Sequence, residues 1–183
     1  MYMRTYPPTL LEYACGFIHA ANWDALSQFI DEYPQVATCV DNSGETLLGY
    51  LSHHGATAPL LKKLILLGAD PNGTDEAVER PIAHTINAGN EWGLDTLDEL
   101  ATLLDMGANP NISVACGYPA LHLAIVWNKP RHLALLLEKG ASIHTLTSDM
   151  YPETLLQVAH RENNKYANEV LREYGILPDD TAS

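Results

Sequence analysis

Leu66-Leu67-Gly68-Ala69-Asp70-Pro71-Asn72, Leu103-Leu104-Asp105-Met106-Gly107-Ala108-Asn109-Pro110-Asn111 and Leu136-Leu137-Glu138-Lys139-Gly140-Ala141-Ser142-Ile143 are three near-copies of one phrase. Their glycines stand 39 and then 33 residues apart, and a weaker copy, Val170-Leu171-Arg172-Glu173-Tyr174-Gly175-Ile176, follows 35 residues further on. Self-similarity at about 33 residues is the mark of stacked helical repeats. The leucines belong to a helix that buries against the next unit, and the glycine ends that helix in a left-handed conformation.

Upstream of each phrase lies a second pattern. Pro119-Ala120-Leu121-His122-Leu123-Ala124-Ile125-Val126-Trp127-Asn128-Lys129 resembles the T-P-L-H-x-A-A-x-x-G signature of an ankyrin repeat. Gly44-Glu45-Thr46-Leu47-Leu48-Gly49-Tyr50-Leu51-Ser52-His53-His54-Gly55 keeps the opening Thr and the inter-helix Gly, with Gly49 in place of the histidine. Arg80-Pro81-Ile82-Ala83-His84-Thr85-Ile86-Asn87-Ala88-Gly89 keeps the proline and the glycine, with Ala83 where histidine is usual, and Glu153-Thr154-Leu155-Leu156-Gln157-Val158-Ala159 is a loose last copy. Thr9 to Ala20 and Trp23 to Tyr33 have helical apolar spacing around a polar break at Asn22, as an N-terminal cap would.

The resemblance implies an all-α ankyrin-repeat solenoid of stacked helix-turn-helix units with protruding hairpin loops, one domain over residues 1–183. Its parts are a capping helix pair (1–40), repeats at 41–73, 74–112 and 113–145, and a C-terminal capping repeat with tail (146–183). From the inter-helix position to the terminating glycine the units take 13 (Gly55 to Gly68), 18 (Gly89 to Gly107) and 12 residues (Asn128 to Gly140), so the middle one carries an insertion near 90–96. Insertions in repeat proteins map to loops on one face, often the binding face.

The 46% hydrophobic content suffices for a continuous core, and no run of 18 apolar residues suggests a membrane span. The opening Met1-Tyr2-Met3-Arg4-Thr5-Tyr6-Pro7-Pro8 has no secretory-signal pattern, and Cys15, Cys39 and Cys116 have neither CxxC nor Cys/His metal spacing. A cytoplasmic protein with reduced thiols is expected. Ten Lys and Arg against 23 Asp and Glu give a net charge of −13. Such a charge disfavours nucleic acid and anionic membranes and favours a basic partner, though solubility alone would also account for it.

No phosphate-binding loop, dinucleotide fingerprint, H-E-x-x-H or nucleophile elbow is present. The eight histidines form no ligand set: His53 and His54 are adjacent and point apart on a helix, and the resemblance implies that the His122 imidazole bonds neighbouring backbone. The expectation is therefore a non-enzymatic, monomeric protein-binding module with no cofactor or metal.

In ankyrin folds the hairpin tips and the exposed face of the first helices form a concave surface. Aligning the copies places Tyr50, His84, Leu123 and Gln157 at one exposed position, and His53, Val126 and Trp127 lie close by. Tyr50, His53, His84, Leu123 and Trp127, with Trp92 in the insertion, are the candidate contacts, because aromatic rings recur at binding hot spots. Packing between repeats is the competing role for Leu123 and Val126, and cover for a neighbouring helix is the competing role for Trp92. Asp70, Asp75, Glu76 and Glu79 place acids on a turn-forming finger, beside Asp41 and Glu45 on the one before. Small ankyrin proteins with degenerate repeats occur among bacterial immunity proteins, which implies inhibition of a basic toxin or effector domain by occlusion. A scaffold, adaptor or secreted effector using the same face is the alternative.

Overall fold

The computed structural model describes residues 9–42, 44–54, 57–73, 80–91, 95–115, 117–147 and 150–177. Among them the chain is all-α: ten α-helices, one 3₁₀ turn and one short hairpin. The helices come as α1 (Leu10–His19) with α2 (Trp23–Glu32), α3 (Leu47–Ser52) with α4 (Ala58–Leu66), α5 (Pro81–Glu91) with α6 (Leu97–Asp105), α7 (Ala120–Val126) with α8 (Pro130–Glu138), and α9 (Leu155–Glu162) with α10 (Lys165–Glu173). The 3₁₀ turn, Pro34–Thr38, follows α2. First helices pack on first helices from α1 through α9, and second helices pack on second helices from α4 through α10.

Local chemistry sets the ends. Thr9 and Thr154 close capping boxes with Glu12 and Gln157, Asn22 accepts from the Ala25 amide at 3.1 Å, and Thr46 accepts from the Gly49 amide at 3.0 Å. The second helices end where expected, with Gly68, Gly107, Gly140 and Gly175 at φ of 105°, 98°, 80° and 67°. The turns inside pairs also use the left-handed region, at Ala21, Asn128 and Asn163. The middle copy departs from the expected pattern: α5 runs through Gly89 to Glu91, so part of the insertion lengthens the helix to 11 residues against 6 in α3 and 7 in α7. Three fingers close in the same place, just before a first helix, by Val40–Thr46, Ser113–Pro119 and Leu146–Thr154 pairings.

Bonds spanning about one repeat hold the row in register. The Glu99 carboxylate, 1% exposed, accepts from the Thr57 amide (2.7 Å) and the Ala58 amide (3.1 Å), capping α4 from α6. The Asn72 side chain accepts from the Asn109 amide at 2.7 Å and donates to the Gly107 carbonyl at 3.1 Å, and Asn111 repeats the device by accepting from the Ser142 amide at 2.7 Å. Lys63 on α4 reaches the Ser27 carbonyl and the Asp31 carboxylate of α2, both at 2.8 Å.

The stacking register recurs along the first helices. The second, third and sixth residues of α3, α5 and α7 are buried: Leu48, Gly49, Ser52; Ile82, Ala83, Ile86; Leu121, His122, Ile125. Their counterparts in α9, Leu156, Gln157 and His160, are exposed. This register also corrects the alignment of the last copy: Val158, not Gln157, is the fourth residue of α9 and matches Tyr50, His84 and Leu123, while Gln157 serves the capping box.

Candidate functional site

The first finger turns tightly around one carboxylate. Asp41 exchanges main-chain bonds with Glu45 and Gly44 at 3.0 and 3.1 Å, and its Oδ1 accepts from the Glu45 amide at 2.9 Å. Its Oδ2 accepts from the Tyr50 hydroxyl at 2.7 Å. That bond, with burial, raises the Tyr50 pKa, so the phenol stays a fixed donor. The Glu45 carboxylate folds over the start of α3, accepting from the Thr46 amide at 3.3 Å. A Cβ on Gly49 would lie 1.7 Å from Glu45 Oε1, so the glycine makes room for an acid. The other oxygen of Glu45 lies 3.8 Å from His84 Nε2, and the His84 ring stacks on His53 with centroids 4.0 Å apart. Finger, α3 and α5 thus share one polar cluster.

Beside it, α1, the finger and α3 enclose a half-open groove of about 260 Å³ lined by Leu11, Glu12, Cys15, Gly16, His19, Asp41 and Tyr50. Its lining is mostly apolar, with carboxylates at Glu12 and Asp41. Burial, and then Asp41, Glu45 and Glu12 in that order, push the Cys15 thiol up to about 11. A thiol held protonated is a poor nucleophile, and the effect shows that three carboxylates act on this groove. The sequence held an unread signal for it: between Arg4 and Lys62 there is no Lys or Arg, while Glu12, Asp24, Asp31, Glu32, Asp41 and Glu45 fall in that interval.

The expected site residues divide. Tyr50 and His53 are half-buried and belong to the cluster just described. His84 and Leu123 are not surface residues, at 3% and 5% exposure: the fourth position of a first helix is buried in α5, α7 and α9, half-buried at Tyr50 in α3, and 55% exposed at Tyr13 in α1. Trp127, at the end of α7, is 44% exposed and available to a partner. Asp70 is exposed, with one carboxylate oxygen accepting from the Asn72 amide at 2.8 Å in a tight turn. Trp92, Asp75, Glu76, Glu79 and Cys116 lie outside the described residues.

For His122 the expectation is a bond to neighbouring backbone. The residue is fully buried, yet neither ring nitrogen makes a hydrogen bond of good geometry, and burial holds its pKa below the ordinary value against the pull of the Glu153 main chain and carboxylate. A second surface that sequence reasoning missed is the last finger, where Leu146, Met150 and Tyr151 are 50%, 85% and 80% exposed. Among the described residues no helix is long and apolar enough to cross a membrane. No protein-family model matches the chain, and no curated protein matches it.

Proposed function

We propose that the chain is an ankyrin-repeat solenoid that acts as a non-enzymatic binding module in the cytoplasm, with a protein of basic surface as its partner. Its role on this reading is that of an immunity protein, covering the active surface of a toxin or effector domain. Support for the family rests on the matching residues and on a helix-pair row with left-handed glycines and fingers at the repeat spacing. Support for a basic partner rests on one observation above others: the acids of α1 and the first finger meet at one groove, in a stretch without a single Lys or Arg. Charge of one sign concentrated on one region speeds the encounter with an opposite surface and rejects like-charged competitors.

One observation favours the alternative, an adaptor. The apolar last finger lies at the other end of the row from the acidic groove, so two different partners can be held at once. A gene-deletion experiment separates the two. If the chain is an immunity protein, its loss is lethal only while a neighbouring toxin gene is intact. Viability in both backgrounds, with two distinct bound proteins, supports the adaptor.

A further inference from the structure

We infer that the groove between α1, the first finger and α3 is a receptor for one arginine side chain of the partner protein, its methylenes on the apolar floor and its guanidinium between Glu12 and Asp41. This assignment rests on the proposed basic partner and names the group by which that partner is recognised.

The floor and the rim ask for different things, and arginine has both. Leu11, Gly16 and the Tyr50 ring offer apolar contact, which a hydrated metal ion or a bare ammonium cannot use. An arginine carries a three-methylene stem that buries against such a surface while its head stays polar. The carboxylates stand on separate walls, Glu12 on α1 and Asp41 on the finger. A planar guanidinium holds five donors in a fixed fork that can address both, whereas the compact lysine head has three and is more strongly hydrated, so it gives up more water to leave solvent. The Tyr50 hydroxyl already donates to Asp41 and the Glu45 amide donates to the same carboxylate, so that acid is held in place before a ligand arrives.

Gly16 also lines the groove. It sits inside α1, where glycine is a poorer helix former than alanine. Neither common reason for a glycine applies: it is not among the positive-φ glycines, and a Cβ built on it meets nothing within 4 Å. Fold and packing do not require it. Any longer side chain there would occupy the groove.

The test uses the full chain and hexa-arginine and hexa-lysine peptides, read by the amide shifts of residues 11–19 and 41–50 and by protection of Cys15 from alkylation. Gly16→Leu fills the groove while improving helix propensity. Glu12→Gln removes charge and keeps the capping box, since glutamine serves equally at that position. The expected result is hexa-arginine binding at these residues, weakened about tenfold by either change, the scale of losing a charge-assisted hydrogen bond, with thermal stability held or raised in Gly16→Leu. Equal affinity for hexa-lysine would overturn the arginine assignment. Binding that neither change weakens, with shifts spread over other acids, would overturn the groove and leave the basic-partner reading standing. No binding of either peptide at low salt would overturn both.

Discussion

At the residue scale the buried titratable groups give the sharpest expectations. Thr96 donates its hydroxyl to the Thr85 carbonyl and faces His132 Nε2 at 3.2 Å, so the imidazole carries its proton on Nε2 and donates to Thr96. Burial, then the charge of Lys129, lowers the His132 pKa from 6.5 to about 4. The unfolded chain therefore takes up a proton at this residue that the native state refuses until about pH 4. Stability is expected to fall by about 3 kcal/mol between roughly pH 6.5 and 4 from this group, and to be insensitive to it above that range. Urea unfolding across this range checks it, and His132→Gln should flatten the slope; an unchanged slope would remove His132 as the cause. Glu99→Ala exposes a different weakness, since it leaves the Thr57 and Ala58 amides without their acceptor. A loss of about 2–4 kcal/mol is expected, with Glu99→Gln losing less because an acceptor oxygen remains. At Cys15, alkylation should be slow near pH 8 and should quicken in Glu45→Gln, because the carboxylates that raise its pKa would be fewer. An unaltered rate would remove Glu45 as a contributor and leave burial, Asp41 and Glu12.

At the element scale the repeats were legible because glycine and leucine placement is dictated by backbone geometry, which leaves a plain mark on the sequence. The terminating glycines all take positive φ for that reason. The turns inside pairs were harder to read. Gly89 looks like a break but lies within α5, while Ala21 takes a left-handed conformation that its identity does not advertise. Ala21→Gly should relieve that strain and raise stability by up to about 1 kcal/mol, measured by denaturant midpoint. Exposure on the first helices was misread at His84 and Leu123, because a periodic pattern locates a face without saying which neighbour covers it. The acid at Glu45 was visible, but not that Gly49 lets its carboxylate lie over α3 and approach His84, a contact that exists only once two repeats are stacked.

At the scale of the whole molecule the charge is unevenly placed. Residues 5–61 hold six acids and no Lys or Arg, whereas residues 119–177 hold six acids and six Lys or Arg. The same sequence thus supplies an acidic end and a balanced end, the latter bearing the exposed Leu146, Met150 and Tyr151. Electrostatic contacts of exposed groups are screened as ionic strength rises and apolar contacts are not, so the two surfaces are separable by salt. Glu12→Gln combined with Glu45→Gln should slow association and reduce its salt dependence, while Met150→Ser with Tyr151→Ser should mainly speed dissociation. The most direct measurement is capture of partners from native extract by the tagged full chain at low and at moderate salt, with the wild type and the Glu12→Gln, Glu45→Gln variant side by side. A single stoichiometric basic protein, toxic when expressed alone, recovered less well at higher salt and less well by the variant, is the expected result. Recovery of an acidic or neutral partner, indifferent to salt and to both substitutions, would contradict it.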